Sequence, residues 1–97
     1  MYKIELSKRY AKKDFPALSE ETKSAIKKAI EEELKVKPTK VGKPLRGELR
    51  GYRRLKFDKY RLIYHVNISK RKVLLVTAGY RDNIYNQAGL LDLLPKL

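Results

Sequence analysis

The sequence lacks cysteine and tryptophan and has one histidine, His65, among its 97 residues. Without cysteine, neither a disulfide framework nor thiolate ligation of zinc is available. A single histidine likewise excludes paired-histidine metal motifs and an acid–base scheme that uses two imidazoles. No apolar run approaches the ~18 residues of a membrane-spanning helix, and no signal peptide precedes the first predicted strand. We therefore expect a soluble, cytoplasmic protein, a single domain over residues 1–97, with no membrane association.

Acidic residues are also scarce, and their shortage is local. The net charge of the chain is +13. Residues 37–81 hold 14 basic and 2 acidic side chains, whereas residues 1–36 hold 9 basic and 7 acidic ones. Such a concentration of cations attracts polyanions, which favours a nucleic-acid partner. An ordinary solvated basic surface is the alternative.

The first third of the chain predicts a strand and two helices. Residues Tyr2–Leu6 alternate between apolar and polar, as a half-buried strand does. Ser7 is suited to cap a first helix over Lys8–Asp14, and Ser19 to cap a second one. In the second helix, apolar residues recur every four positions and form one stripe that we expect to pack on a sheet. They are Ile26, Ile30 and Leu34.

The remainder predicts a basic loop and three strands. Val36–Gly51 contains several prolines and glycines and little periodicity, which indicates a loop. Gly51–Phe57 and Tyr60–Val66 are predicted to form a hairpin around the turn Asp58-Lys59. Lys72–Gly79 is apolar on both faces and should lie in the centre of the sheet.

The predicted order is therefore β-α-α-β-β-β, an α+β fold with a helical pair on one face of a small antiparallel sheet. The pattern of Ile84–Leu94 is that of a short C-terminal helix, which Gly89 weakens.

Alternation along the hairpin sorts its cations by face. Arg54 and Lys56 project to one face of the strand. Leu55 and Phe57 project to the other face, where their apolar side chains should meet the helices. Arg61 on the return strand, and Arg81 after the next strand, are expected to join the same surface. Cations held so close repel one another, and either a bound phosphate or an acidic peptide would relieve the repulsion.

Two stretches of the sequence resemble the RelE/ParE toxin superfamily, and specifically its RelE-like branch: GELRGYRRLKFDKYRLIYHV and VLLVTAGYRDNIY. The resemblance implies a small ribonuclease that enters the ribosomal A site and cuts messenger RNA. It also implies a RelB-like antitoxin encoded beside the toxin, and binding to operator DNA through the toxin–antitoxin complex. Neither a metal nor an organic cofactor is implied.

The same resemblance assigns site residues. Two basic residues precede the hairpin turn in RelE-like enzymes, and here they correspond to Arg54 and Lys56. The arginine of YRLIY corresponds to Arg61, that of GYRDNIY to Arg81, and the terminal tyrosine to Tyr85. Arg54 stands where lysine is often found, and a one-residue slip in register would turn Leu55 outward.

RNA cleavage by the adjacent 2′-hydroxyl requires a proton acceptor, a stabiliser for the phosphorane and alignment of the attacking and leaving oxygens. Arginine stays protonated, so the arginines of the set are expected to hold phosphate. Lys56 is either the general base or a charged stabiliser. Tyr85 is expected to stack on a base or to orient the hydroxyl. Further contacts with the RNA backbone are expected from Lys43, Arg46, Arg50 and Arg53.

Structural roles remain open for several of these residues. Arg61 and Arg81 could pair with nearby carboxylates, Tyr85 could be a core aromatic, and mid-strand His65 is more consistent with packing than with proton transfer. The C-terminal segment could belong to the core, or could be a tail that the antitoxin displaces. A ParE-like inhibitor of DNA gyrase that acts by protein–protein contact, and an inactive antitoxin-binding relative, are the alternative functions.

Overall fold

The computed structural model describes residues 1–80, which form a five-stranded sheet with helices on one face. The order of strands in the sheet is β1-β5-β4-β3-β2. The α+β prediction is confirmed. The strands are β1 (Lys3–Leu6), β2 (Lys43–Pro44), β3 (Tyr52–Phe57), β4 (Tyr60–Asn67) and β5 (Lys72–Tyr80).

The sheet is mixed, which corrects the expectation of a wholly antiparallel one. Strand β1 pairs with β5 in parallel, in the register Lys3↔Lys72 to Leu6↔Leu75. The reason lies in the connection. A tight hairpin forces neighbouring strands to run antiparallel, whereas β1 is followed by two helices that carry the chain to the opposite edge of the sheet. The direction of β1 beside the last strand is therefore not fixed by any turn.

Both predicted helix caps are present. Ser7 Oγ accepts a hydrogen bond from Tyr10 N at 3.0 Å and donates one to Val76 O at 2.6 Å, so it joins the first helical segment to β5. Ser19 Oγ accepts from Thr22 N at 3.2 Å. The helical elements are α1 (Tyr10–Asp14, wound as a π-helix) and α2 (Glu20–Ala29), which continues as a π-helix over Ile30–Leu34.

The main core lies between the helices and the sheet. Ile26 and Leu34 of the predicted helical stripe are buried there, against Leu62, Tyr64 and other residues of β4 and β5. A second, smaller apolar cluster lies on the other face of the sheet. It consists of Tyr52, Ile63 and Val76, with Leu45 and Leu74 packed against it.

The hairpin turn forms at Asp58-Lys59, because Phe57 and Tyr60 pair directly across it. Asp58 adopts a positive φ of 54°, a conformation that aspartate tolerates better than most residues. Strand β2 is only two residues long, antiparallel to β3, and lies inside the segment that the sequence indicates as loop. Among residues 1–80, no helix is both long and apolar enough to cross a membrane.

Candidate functional site

Cross-strand pairing gathers cations on the sheet face that is opposite the helices. Side chains of directly paired residues project to the same side of a sheet. Lys43 pairs with Arg54, and Lys56 pairs with Arg61. Leu55, between Arg54 and Lys56, packs against the main core on the helical face, as expected from alternation. We call the surface formed by Lys43, Arg54, Lys56 and Arg61 the basic face.

Arg61 is held by the turn that it follows. Its side chain is only 8% exposed, and Nη1 donates to Asp58 O at 2.8 Å and to Tyr60 O at 2.9 Å. These bonds fix the guanidinium at the closed end of the hairpin, beside Lys56. Because a guanidinium has five N–H donors in a planar fork, the Nε and Nη2 donors lie outside these two bonds.

Arg54 is half-buried, and its Nε has no accessible surface. Within the part of the chain that the structure describes, this Nε has no hydrogen-bond acceptor. A buried donor without a partner costs about 1–3 kcal/mol.

Lys56 is exposed, and it stands directly opposite Arg61. Like charges at directly opposed positions destabilise a sheet. On the other side of Arg61 the paired residue is Gly79, where an added Cβ would meet no atom of the described residues within 4 Å. Among residues 1–80, therefore, no side chain fills the position next to Arg61 on this face.

Of the four residues predicted to contact the RNA backbone, Lys43 belongs to the basic face, and Arg46 and Arg50 are exposed in the connection from β2 to β3. Arg53 lies apart from them. It pairs with Tyr64, whose side chain is in the main core, so it projects to the helical face. There Arg53 Nη2 donates to Val41 O at 2.9 Å.

His65 lies on the same face as Arg61, in the position that pairs with Tyr52. The two rings are 5.7 Å apart between centroids, a packed arrangement that agrees with the structural role expected for His65. Burial lowers the pKa of His65 below its usual 6.5, because it disfavours the charged form. His65 thus contributes a neutral ring, and no further cation, near neutral pH.

Two predicted site residues, Arg81 and Tyr85, lie outside the described residues, and so does the C-terminal segment Ile84–Leu94. Residues 1–80 contain no cluster of three or more histidine, cysteine, aspartate or glutamate side chains that could hold a metal ion.

Sequence reasoning missed two features of this site. One is β2, which places Lys43 beside Arg54, and the other is the attachment of Arg61 to the turn carbonyls. Neither feature has a clear signal in the sequence. A two-residue strand is too short to show a periodicity, and a hydrogen bond to a main-chain carbonyl does not depend on which residue carries that carbonyl.

Comparison with known proteins gives one family and a consistent set of structures. The family profile for the ParE toxin of the type II toxin–antitoxin system parDE matches residues 4–85. No curated protein sequence matches the chain.

Three solved structures illustrate the structural likeness. The toxin–antitoxin complex RelBE2 from Mycobacterium tuberculosis matches with a TM-score of 0.74 and 26% identity, covering 82% of this chain and 98% of that one. The intact Escherichia coli RelBE complex matches with a TM-score of 0.70 and 25% identity, covering 82% and 96%. The isolated E. coli RelE toxin matches with a TM-score of 0.70 and 24% identity, covering 90% and 94%.

Proposed function

Because the chain belongs to the ParE toxin family of type II toxin–antitoxin systems, within the RelE/ParE superfamily, we propose that it is a RelE-like endoribonuclease that cleaves messenger RNA in the ribosomal A site. The proposal goes beyond family membership, since the superfamily includes toxins that are not nucleases. It rests chiefly on one observation, the convergence of Arg54, Lys56 and Arg61 on one face of the sheet, opposite the helices.

The chemistry follows from the properties of these side chains. The 2′-hydroxyl attacks the adjacent phosphorus, its proton leaves to a base, and the 5′-oxygen of the next nucleotide departs with a proton supplied by water or by the protonated base. The guanidinium of Arg61 binds the phosphate oxygens, and Arg54 adds a second guanidinium charge on the same face. Lys56 either accepts the hydroxyl proton or stabilises the phosphorane as a cation. Arg81 and Tyr85 complete the proposed set, by binding the phosphate and by stacking on a base.

An antitoxin partner is supported by the structural matches, because two of them are complexes with RelB-type antitoxins. We propose a RelB-like antitoxin of complementary acidic character that covers the basic face and thereby blocks RNA. Operator DNA binding through that complex, and action in the cytoplasm where ribosomes are found, belong to the same proposal.

The test is cleavage of messenger RNA on programmed ribosomes, read by primer extension. We expect Lys56→Ala, Arg54→Ala and Arg61→Ala each to slow cleavage by roughly 100-fold or more, the usual range for loss of acid–base or charge-stabilising groups. Lys28→Ala, which removes an exposed lysine from α2, is the matched control and should cleave at the wild-type rate. Wild-type rates in all three basic-face variants would refute the mechanism.

Stability distinguishes these variants from one another. Arg61→Ala removes hydrogen bonds to two turn carbonyls and should lower the free energy of unfolding by about 1–2 kcal/mol. Lys56→Ala alters an exposed side chain, and its effect should stay within about 0.5 kcal/mol. Lys56→Ala is therefore the variant in which lost cleavage cannot be attributed to lost structure.

The second candidate function is inhibition of DNA gyrase in the manner of ParE-like toxins, and the family profile is the observation that favours it. Plasmid supercoiling by purified gyrase, with and without the protein, separates the two. We expect supercoiling to proceed unchanged at toxin concentrations that cleave ribosome-bound messenger RNA. Gyrase inhibition without RNA cleavage would establish the second function, and absence of both would leave only antitoxin binding.

A further inference from the structure

The segment Pro38–Gly42 is held from the helical side of the sheet by two hairpin residues. The hydroxyl of Tyr64 on β4 lies 2.9 Å from both Pro38 O and Val41 O. Arg53 on β3 reaches the same turn, with Nη2 at 2.9 Å from Val41 O and 3.4 Å from Gly42 O. Its Nε is 3.4 Å from the Tyr64 hydroxyl, so the two side chains and the segment form one network.

This network is largely removed from water. Tyr64 is fully buried, and Pro38 is among the fully buried side chains. Burial also raises the pKa of Tyr64, which keeps its hydroxyl in the protonated, donating form. Buried carbonyls depend on such donors, because an unsatisfied carbonyl in this setting costs as much as a lost hydrogen bond. Arg53 and Tyr64 therefore supply side-chain donors to three carbonyls of the segment.

Gly42 brings the segment into direct contact with the strand that carries Arg54. It has a φ of +67°, and a Cβ at this position would lie 2.5 Å from Arg54 O and 2.9 Å from the Tyr64 hydroxyl oxygen. Only a glycine fits such an approach. The main chain at Gly42 thus abuts the main chain of Arg54.

The residue after Gly42 is Lys43, which pairs with Arg54 and projects to the basic face. Strand β2 has only two residues, and the next bond that holds it to β3 runs from Leu45 N to Tyr52 O at 2.9 Å. So short a strand has little pairing of its own. Its alignment with β3 consequently depends on the segment before it.

We propose that Arg53 and Tyr64 are positioning residues of the RNA site: by holding Pro38–Gly42 from the helical side, they fix Lys43 next to Arg54 as a phosphate ligand on the other side. This inference rests on the proposed function, since it names the phosphodiester backbone of RNA as the ligand of Lys43. It also gives Arg53 an indirect role in place of the direct RNA contact expected from sequence.

The salt dependence of binding distinguishes positioning from direct contact. Binding to ribosomes is measured across a range of KCl with messenger RNA that carries a 2′-O-methyl group at the A-site codon, which prevents cleavage. Each lost phosphate contact should reduce the slope of log K against log salt by about 0.7 for a single-stranded ligand. We expect that reduction for Lys43→Met and for Arg53→Met, and no larger reduction for the double variant.

Arg53→Lys provides the rescue test. Lysine retains the charge but lacks the planar fork that reaches two carbonyls, so the slope should remain reduced. A slope restored by Arg53→Lys, or twice the reduction in the double variant, would show that Arg53 itself contacts RNA. A wild-type slope in Arg53→Met would reduce its role to stability. Each of these results overturns the proposal.

Two glycine variants test the same geometry without removing any charge. Gly42 and Gly47 have nearly equal φ values, +67° and +66°, but a Cβ at Gly47 would meet no atom of the described residues within 4 Å. Gly42→Ala should reduce the salt slope as Lys43→Met does, whereas Gly47→Ala imposes a similar positive φ on alanine and should leave the slope unchanged. Equal slopes for the two alanine variants would contradict the proposal.

Amide hydrogen exchange in the free protein supplies a readout that needs no ribosome. Arg53→Met and Tyr64→Phe should increase exchange at Leu45 N–H at least tenfold, while Lys43→Met should not. Unchanged exchange in the first two variants would refute the positioning role whatever the RNA results. Conversely, if the wild-type protein neither binds nor cuts ribosomal messenger RNA, the proposed function fails while the exchange result still stands.

Discussion

Two neighbouring arginines show how little a residue type determines by itself. Arg53 and Arg54 are adjacent in the sequence, and both are half-buried. Arg53 donates to loop carbonyls on the helical face, whereas the buried Nε of Arg54 has no acceptor among residues 1–80. Alternation along the strand separates them, and the cross-strand pairing fixes which of them accompanies Lys56. Arg54 therefore places its charge on the basic face, whereas Arg53 serves the packing of the loop on the other face.

A prediction at the same scale concerns His65, the one histidine of the chain. Burial lowers its pKa below 6.5, so the unfolded chain binds a proton more readily than the folded one. Its contribution to stability is therefore fully present above about pH 6.5 and is lost as the pH falls from there towards the lower pKa of the folded state. Urea unfolding between pH 7.5 and 5 should show this decline.

The control is His65→Gln, a neutral side chain that does not titrate. We expect its free energy of unfolding to change much less between pH 7.5 and 5, since most carboxylates titrate near pH 4. If the wild type and the variant declined equally, the pH dependence would have to come from groups other than His65.

At the scale of elements, the sequence predicted the parts that local chemistry specifies. Ser7 and Ser19 are found as caps because the capping bond involves a residue three positions away. The hairpin is found because alternation and its turn are local. The parallel pairing of β1 with β5 was not predictable in this way, since its partners are separated by most of the chain. Strand β2 was missed because Arg53 and Tyr64, rather than its own two residues, determine its conformation.

The turn between β4 and β5 carries a second testable feature. Arg71 adopts a φ of 54°, which is unfavourable for a residue with a Cβ and free for glycine. Its main chain is bonded on both sides, to Ile68 O through its N–H and to Lys3 N through its carbonyl. The conformation is thus imposed on Arg71 by the surrounding turn.

We expect Arg71→Gly to raise the free energy of unfolding by about 0.5–1 kcal/mol and the melting temperature by roughly 4 °C. Arg71→Ala removes the same charge but keeps the strained φ, and it should gain less. Calorimetry of both variants measures the difference. Equal gains would assign the effect to relief of charge repulsion.

At the scale of the whole molecule, the two faces of the sheet have different roles: one forms the core, and the other carries the basic face. One face is buried under α1 and α2, and most of the core lies there. The other face is supported by a small apolar cluster around Ile63, beside which Arg54 and Arg61 project. Because this apolar cluster has a low dielectric constant, it strengthens the attraction between these cations and a bound anion. It also strengthens the repulsion between the cations when no anion is bound.

Salt should therefore act on this protein in two opposite directions. Between 50 and 500 mM KCl, screening of the +13 net charge should raise the melting temperature. Over the same range ribosome binding should weaken by orders of magnitude, because the release of counterions from RNA becomes less favourable as the salt concentration rises. A control variant, Lys12→Glu/Lys28→Glu, lowers the net charge by four at exposed helical positions. It should flatten the response of melting temperature to salt yet keep the wild-type slope for binding, because neither lysine is among the proposed phosphate contacts. A binding slope reduced as strongly as the stability response would mean that net charge, rather than the arrangement on the sheet, governs RNA affinity.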